Sequence, residues 1–261
     1  MQIERFSAPV GAVVHDVDVK RVDEESWSQL NQLLCKHHVL VFPEQDLTPD
    51  QQLAFAGRWG ELIPFPYMAL PDYPNLIELK NRGKKRDVNQ HWHSDMTYNP
   101  EPPKLTMLYA HQAPAIGGET AFANQQLAYD ELSTGLKQVL NGLQAHHSAK
   151  GLAQLYGADQ AAAPQGLHPV VRTHDESGAK SLYVCRAFTQ RFDGWTREES
   201  KSLLEYLFSH ATRPEFQGRH QWRAKDLVMW DNRSVLHYAV HDHADEPRLL
   251  HRCQVAGPRP T

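Results

Sequence analysis

Cysteine is scarce in this chain. Three residues out of 261, at Cys35, Cys185 and Cys253, lie far apart with no C-x-x-C pair, which argues against a disulfide framework and a Cys-rich zinc module. Long apolar runs are missing too. No stretch approaches the length of a membrane span, and the start, Met1-Gln2-Ile3-Glu4-Arg5, is charged at once and lacks the apolar core of a signal peptide. A cytoplasmic protein is therefore expected. Neither sign of charge dominates: Lys+Arg is 27 against Asp+Glu 31, a formal charge of -4. That near-balance provides no basic footprint for nucleic acid and no polybasic patch for a membrane surface. No internal repeat is visible.

What is abundant is histidine, 16 residues, the commonest metal ligand and the side chain that titrates near neutral pH. The strand signals are short runs bounded by Gly, Pro, Asn or Asp: Val10–Val14, Val39–Phe42, Leu76–Leu79, Leu105–Ala110, Thr120–Ala123, Val170–Thr173, Ser181–Val184, Leu227–Trp230 and Leu249–Val255. Helices are expected over Glu24–Lys36, with Trp27, Leu30, Leu33 and Leu34 at helical spacing, and over Asp50–Arg58 behind Thr48-Pro49. Asn124 is placed to cap Gln125–Leu132, and Thr196-x-x-Glu199 reads as a capping box. Two stretches read as loops: the polar, basic Asn81–Gln90, and Gly151–Gly166, rich in Ala, Gln and Gly, a candidate active-site lid. The whole reads as one α+β domain built on a β-sandwich or barrel.

The densest polar-aromatic cluster is His91-Trp92-His93-Ser94-Asp95. In an extended chain side chains alternate faces, so His93 and Asp95 project together and can bite one metal ion. A third ligand has to come from a late strand, with His237, His241, His243 and His251 as candidates. Two histidines and a carboxylate on one face leave the opposite face of a metal open, as in non-haem Fe(II) oxygenases, although zinc hydrolases use the same set. Arg248 and Arg252 follow at i and i+4 in a strand-like run, so both guanidinium groups are expected to face one cavity, where they suit bidentate capture of carboxylates or sulfonates.

Trp92-His93-Ser94-Asp95, Ile116-Gly117-Gly118-Glu119-Thr120, Leu167-His168-Pro169-Val170-Val171-Arg172, Trp230-Asp231-Asn232 and Arg248-x-x-x-Arg252 together resemble, in order and nearly end to end, the TauD/TfdA family of Fe(II)- and 2-oxoglutarate-dependent dioxygenases. The resemblance implies a double-stranded β-helix (jelly-roll) core with flanking helices over residues 1–261. It implies His93, Asp95 and His237 as the Fe(II) ligands, which leaves His91, His241, His243 and His251 structural or on the surface. It further implies Thr120 and Arg248 on the distal carboxylate of 2-oxoglutarate, and Arg252 on an anionic substrate head group. Asn89, Tyr98, Phe188 and Met96 match substrate-contacting positions. Phe65 and Met68 stand where taurine-oxidising members carry a histidine and a tyrosine, so a substrate with an anionic end and a body larger or more apolar than taurine is expected. The partners implied are that small molecule and dioxygen, in a homo-oligomer, dimer or tetramer. The alternative is a jelly-roll binding protein that has lost turnover.

Overall fold

The computed structural model describes residues 1–65, 69–80, 91–243 and 246–261. Helices open at Thr48, Asn124 and Thr196, as the capping chemistry predicts. Helix α1, Glu24–His37, opens at Asp23, whose side chain accepts from the Ser26 amide at 2.8 Å. Glu24 and Glu25 fill its first turn and Lys36 and His37 its last, matching the helix dipole. It stops at His38, which adopts the left-handed conformation at φ 66°. Helix α2, Pro49–Ala56, opens on a reciprocal capping box between Thr48 and Gln51. Asn124 caps α3, Gln125–Asp130, and Ser133 caps α4, Thr134–Leu140. The box between Thr196 and Glu199 opens the longest helix, α6, Arg197–Ala211.

The major sheet has eight strands: β1 Gln2–Arg5, β2 Ala12–His15, β3 Val39–Phe42, β4 Ala69–Leu70, β5 Tyr73–Lys80, β6 Leu105–Gln112, β14 Leu227–Asp231 and β16 Leu249–Val255, in the order β1-β2-β3-β14-β6-β16-β5-β4. A second sheet orders β13 Gln217–His220, β7 Thr120–Asn124 and β15 Val235–Ala239; a third orders β12 Thr189–Phe192, β8 Gln144–Ser148 and β9 Gln165–Pro169. β10 Val171–Thr173 and β11 Lys180–Leu182 form a hairpin.

Strand alternation sorts the side chains into layers. On β3, Leu40 and Phe42 join the cluster of Leu30 and Leu34 from α1 and Phe55 from α2. Val39 and Val41 face the other way, into a cluster with Leu108, Val228, Trp230, Leu250, Phe122 and Val235. Since Phe122 lies on β7 and Val235 on β15, this second cluster packs the major sheet against the three-stranded one. A further apolar cluster joins α3 and α6 to the outer strands through Ala128, Leu204, Leu207, Phe192 and Leu182.

Three sequence expectations need correcting. Gly151–Gly166 is not irregular throughout: α5, Lys150–Leu155, occupies its start and β9 begins at Gln165. Ala, Gln and Leu are good helix formers, and α5 needs no apolar face because none of its residues is buried. Arg248 falls outside β16, which starts at Leu249 and carries a register irregularity between Leu249 and Leu250. Strands β8, β9 and β12 escaped notice because their sequences, such as Gln-Ala-His-His-Ser on β8, lack an apolar alternation. The Asn81–Gln90 stretch lies outside the described residues.

Candidate metal and co-substrate site

His93 and His237 are 144 positions apart in the chain, yet they meet as an isolated antiparallel bridge. The His93 amide donates to the His237 carbonyl at 3.1 Å and the His237 amide returns the bond at 2.8 Å. The bridge sets the two rings 4.1 Å apart between centroids. Asp95, two residues on, brings Oδ1 to 3.7 Å from Nε2 of each histidine. The three ligand atoms lie within 4.8 Å of one another and all three residues are buried; among the described residues this is the one such group of His, Cys, Asp or Glu.

The protonation states suit a metal, which needs deprotonated ligands. His93 Nδ1 sits 2.7 Å from the His91 carbonyl oxygen. A carbonyl only accepts, so Nδ1 carries the proton and Nε2, on the Asp95 side, the lone pair. Burial pushes His237 well below its ordinary value and keeps it neutral. Burial alone would raise the Asp95 carboxyl. The nearby Arg252 guanidinium, the two histidines and the Thr106 hydroxyl outweigh it and hold Asp95 below the usual carboxylate range.

His237 is delivered by the turn that links β14 of the major sheet to β15 of the second. Asp231 closes that turn, its carbonyl accepting from the Ser234 amide. Its carboxylate is gripped by Arg233 through Nε at 2.8 Å and Nη2 at 2.6 Å, and by His174 Nε2 at 2.9 Å. Asp175 and Glu176 take the other side of Arg233, at 2.9 and 2.7 Å.

Arg248 is a further cationic group. It is desolvated, which lowers its pKa to about 10, and no carboxylate among the described residues pairs with it. Its Nε donates to the Gly118 carbonyl at 3.2 Å and its guanidinium lies 5.8 Å from the Trp222 ring centroid. The Trp222 indole N–H donates to Thr120 Oγ1 at 3.0 Å. An indole can only donate, so the Thr120 hydroxyl accepts here and has its own proton to give elsewhere. Gly117 and Gly118 are both left-handed, φ 78° and 65°. A Cβ on Gly117 would stand 2.5 Å from Asp242 Oδ1, and one on Gly118 2.9 Å from Pro114. Only glycine fits that double turn.

Arg252, on β16, reaches Asp95 Oδ1 through Nη2 at 2.8 Å. Phe188 stands edge-on to the His93 ring at 6.1 Å and to Tyr98 at 5.0 Å, while burial and the Asp95 charge push the Tyr98 phenol up to about 12. Met96, next to Asp95, is left-handed at φ 48°, an uncommon state for such a side chain. Of the sequence candidates, His93, Asp95, His237, Arg252, Tyr98 and Phe188 thus cluster, and Thr120 and Arg248 share Trp222. Phe65 is half-buried, its amide on the Pro74 carbonyl; no hydrogen bond or ring contact among the described residues joins its side chain to the centre. Asn89 and Met68 lie outside the described residues. His241, His243 and His251 stay out of the metal group: His251 pairs with His111 at 2.9 Å on the major sheet. Trp222 was missed, because a lone tryptophan in sequence carries no sign of which hydroxyl its N–H will meet.

The sequence matches the family described as "Taurine catabolism dioxygenase TauD, TfdA family" over residues 2–254. The chain belongs to this family. A (S)-phenoxypropionate/alpha-ketoglutarate-dioxygenase of Sphingobium herbicidovorans is 35% identical, over 98% of this chain and 94% of that protein. An alkylsulfatase of Acinetobacter baylyi is 32% identical, over 98% and 85%. The crystal structure of AAD-2 in complex with Mn(II) and N-oxalylglycine superposes at a TM-score of 0.87 with 30% identity, covering 100% of this chain and 98% of that one. The protein is an alpha-ketoglutarate-dependent dioxygenase with Fe(II) as its metal and 2-oxoglutarate as co-substrate, and it acts on a small molecule together with dioxygen. No helix among the described residues is long and apolar enough to cross a membrane.

Proposed function

We propose that His93, Asp95 and His237 hold Fe(II) on one face, that Arg248 and Thr120 take the distal carboxylate of 2-oxoglutarate, and that Arg252 anchors the anionic end of a substrate whose body rests on Tyr98 and Phe188. The observation that carries this reading is the desolvated Arg248 guanidinium with no carboxylate partner among the described residues, set beside the Thr120 hydroxyl whose acceptor side is already taken by Trp222. A buried cation and a hydroxyl with its proton left to donate, both set against Trp222, suit a carboxylate. Bound together, Fe(II) and 2-oxoglutarate supply an oxidative decarboxylation to succinate and CO₂ coupled to oxidation of a substrate C–H bond, with hydroxylation as the expected outcome. The chain itself positions: the arginines align two anions, and the aromatic wall orients the body and keeps water away. No side chain is required as general acid or base.

The substrate class follows from Arg252 beside aromatic side chains; Phe65, Met68, Met96 and Asn89 are assigned to substrate contact on the sequence resemblance alone. Two relatives are named for phenoxypropionate and for alkyl sulfates, both anions with apolar bodies. We assign this chain a carboxylate or sulfate of that kind rather than taurine. Tyr156, close enough to influence the Tyr98 phenol, supports reading 151–166 as the lid of the pocket. The two packed sheets are read as the halves of a jelly roll making one domain over residues 1–261, in a cytoplasmic homo-oligomer without nucleic-acid or membrane partners. The test is 2-oxoglutarate-coupled succinate release over aryloxyalkanoates, alkyl sulfates and taurine. An aryloxyalkanoate or alkyl sulfate should exceed taurine at least about tenfold in kcat/KM, the value of one well-placed contact, and Arg252→Ala should erase the preference for anions. Taurine as the best substrate would refute the class, and no succinate with any of them would favour the binding protein.

A further inference from the structure

The carboxylate of Asp95 has two oxygens, and their surroundings differ. Oδ1 faces the two histidines and Arg252. Oδ2 points the other way, into the major sheet, where the Thr106 hydroxyl donates to it at 2.6 Å and Gln254 Nε2 at 3.0 Å. Both donors come from a single row across the inner face: Trp230 on β14 pairs in register with Thr106 on β6, which pairs on its other side with Gln254 on β16. Trp230, Thr106, Gln254 and Asn232 are all fully or almost fully buried.

The polarity of the row is fixed by its first member. The Trp230 indole N–H can only donate, and it meets Asn232 Oδ1 at 3.0 Å. That sets the Asn232 amide, so its Nδ2 faces Thr106 Oγ1 at 2.9 Å. Gln254 Nε2 also reaches Thr106 Oγ1, at 3.1 Å. With two donors arriving at its oxygen, the Thr106 hydroxyl has one direction left for its own proton, toward Asp95. Turning the Gln254 amide over would set Oε1 against a carboxylate, so it is held with Oε1 buried and without a hydrogen-bond partner among the described residues. A buried acceptor left unmet in this way costs free energy and marks a side chain kept for what its other end does.

We propose that Thr106 and Gln254 are positioning residues that tie down Asp95 Oδ2, so that the carboxylate offers the metal Oδ1 alone. The inference rests on the metal site proposed above. A carboxylate free to rotate can chelate through both oxygens and would occupy a coordination position that the co-substrate or dioxygen needs. Tying one oxygen to two donors limits it to a single bond and keeps three positions open. Outer hydrogen bonds of this kind typically change metal affinity or activity by about 10–100-fold.

The experiment uses the apoprotein and Mn(II) without co-substrate. Wild type, Thr106→Val, Thr106→Ser and Gln254→Met are titrated with Mn(II) by electron paramagnetic resonance, and the water-proton relaxivity of each complex counts the exchangeable waters. Thr106→Val and Gln254→Met should bind Mn(II) about tenfold or more weakly and lose about a third of the wild-type relaxivity, one water of three, as Asp95 becomes bidentate. Thr106→Ser, which keeps the hydroxyl, should restore both. Equal affinity and equal relaxivity in Thr106→Val and wild type would overturn the proposal, as would a loss in Thr106→Val that Thr106→Ser does not restore. If Thr106→Val does not fold, Gln254→Met decides by the same two numbers. A wild type that binds Mn(II) no better than His93→Ala would instead overturn the metal site itself.

Discussion

Two arginines, Arg233 and Arg248, sit fifteen residues apart at either end of the segment that carries His237, and their surroundings are opposite. Arg233 is buried and ringed by carboxylates: Asp231 takes it through both oxygens, with Asp175 and Glu176 beyond. Burial alone would lower its pKa, but the Asp231 charge and hydrogen bonds raise it. Arg248 is desolvated with no carboxylate paired to it among the described residues, and its pKa falls. The first is an ion pair completed within the fold; the second, on the reading proposed above, is completed by an incoming anion. A cation that folding leaves without its counter-charge is therefore a better sign of a ligand site than an arginine count.

The contrast can be broken, starting at its structural pole. Arg233→Met strips the buried Asp231 of its partner and should cost about 3–5 kcal/mol of stability, read as a lower urea midpoint, with the 2-oxoglutarate requirement of the folded fraction unchanged. Arg248→Met should do the converse. It should raise the KM for 2-oxoglutarate about 100-fold, as expected for a charged hydrogen-bonded pair worth roughly 2–3 kcal/mol, while the thermal midpoint holds or rises because an uncompensated charge has gone. Equal loss of stability in both variants would erase the distinction.

The Arg233 side also carries a pH signature. Burial lowers the pKa of His38 to about 4, with the nearby Asp231 pulling the other way, and His38 Nδ1 lies 3.0 Å from Ser234 Oγ. The folded value lies below the unfolded one, about 6.5. The unfolded chain therefore takes up the proton first. The contribution is fully present above that value and is lost as pH falls toward the folded one, amounting to about 2 kcal/mol between pH 7 and pH 5. His38→Asn, which tolerates the left-handed backbone, should flatten that part of the stability-versus-pH curve; an unchanged slope would exclude His38. On the Arg248 side the smallest effect is expected from Trp222→Phe. It removes one hydrogen bond, about 1 kcal/mol, and should raise the 2-oxoglutarate KM several-fold without altering the preference among substrates.

The two sides also differ in how much of them was legible. Caps are local chemistry, so Thr48, Asn124 and Thr196 announced their helices, and His93 with Asp95 could be paired because two residues apart in an extended chain share a face. The polar strands β8, β9 and β12 gave no periodic signal. Trp222, Thr106 and Gln254 could not be read as partners of anything, because their hydrogen bonds depend on which segments of the chain lie side by side. β6 lies between β14 and β16, and β14 pairs with a strand nearly two hundred residues earlier.

The amino-acid sequence by itself determined the chemical inventory: the metal-binding residue types and their local spacing, the two arginines, the helix starts at Thr48, Asn124 and Thr196 and, through the combination of motifs, the family. The tertiary structure alone decided which donors meet which acceptors. It set His237 against His93 and turned Arg252 and Gln254 onto different oxygens of Asp95. It surrounded Arg233 with acids and left Arg248 with no carboxylate partner among the described residues. Hydrogen bonds and ion pairs act over a few ångströms, so the role of a polar side chain is settled by its neighbours in space, and those neighbours come from the register of strands far apart in the chain.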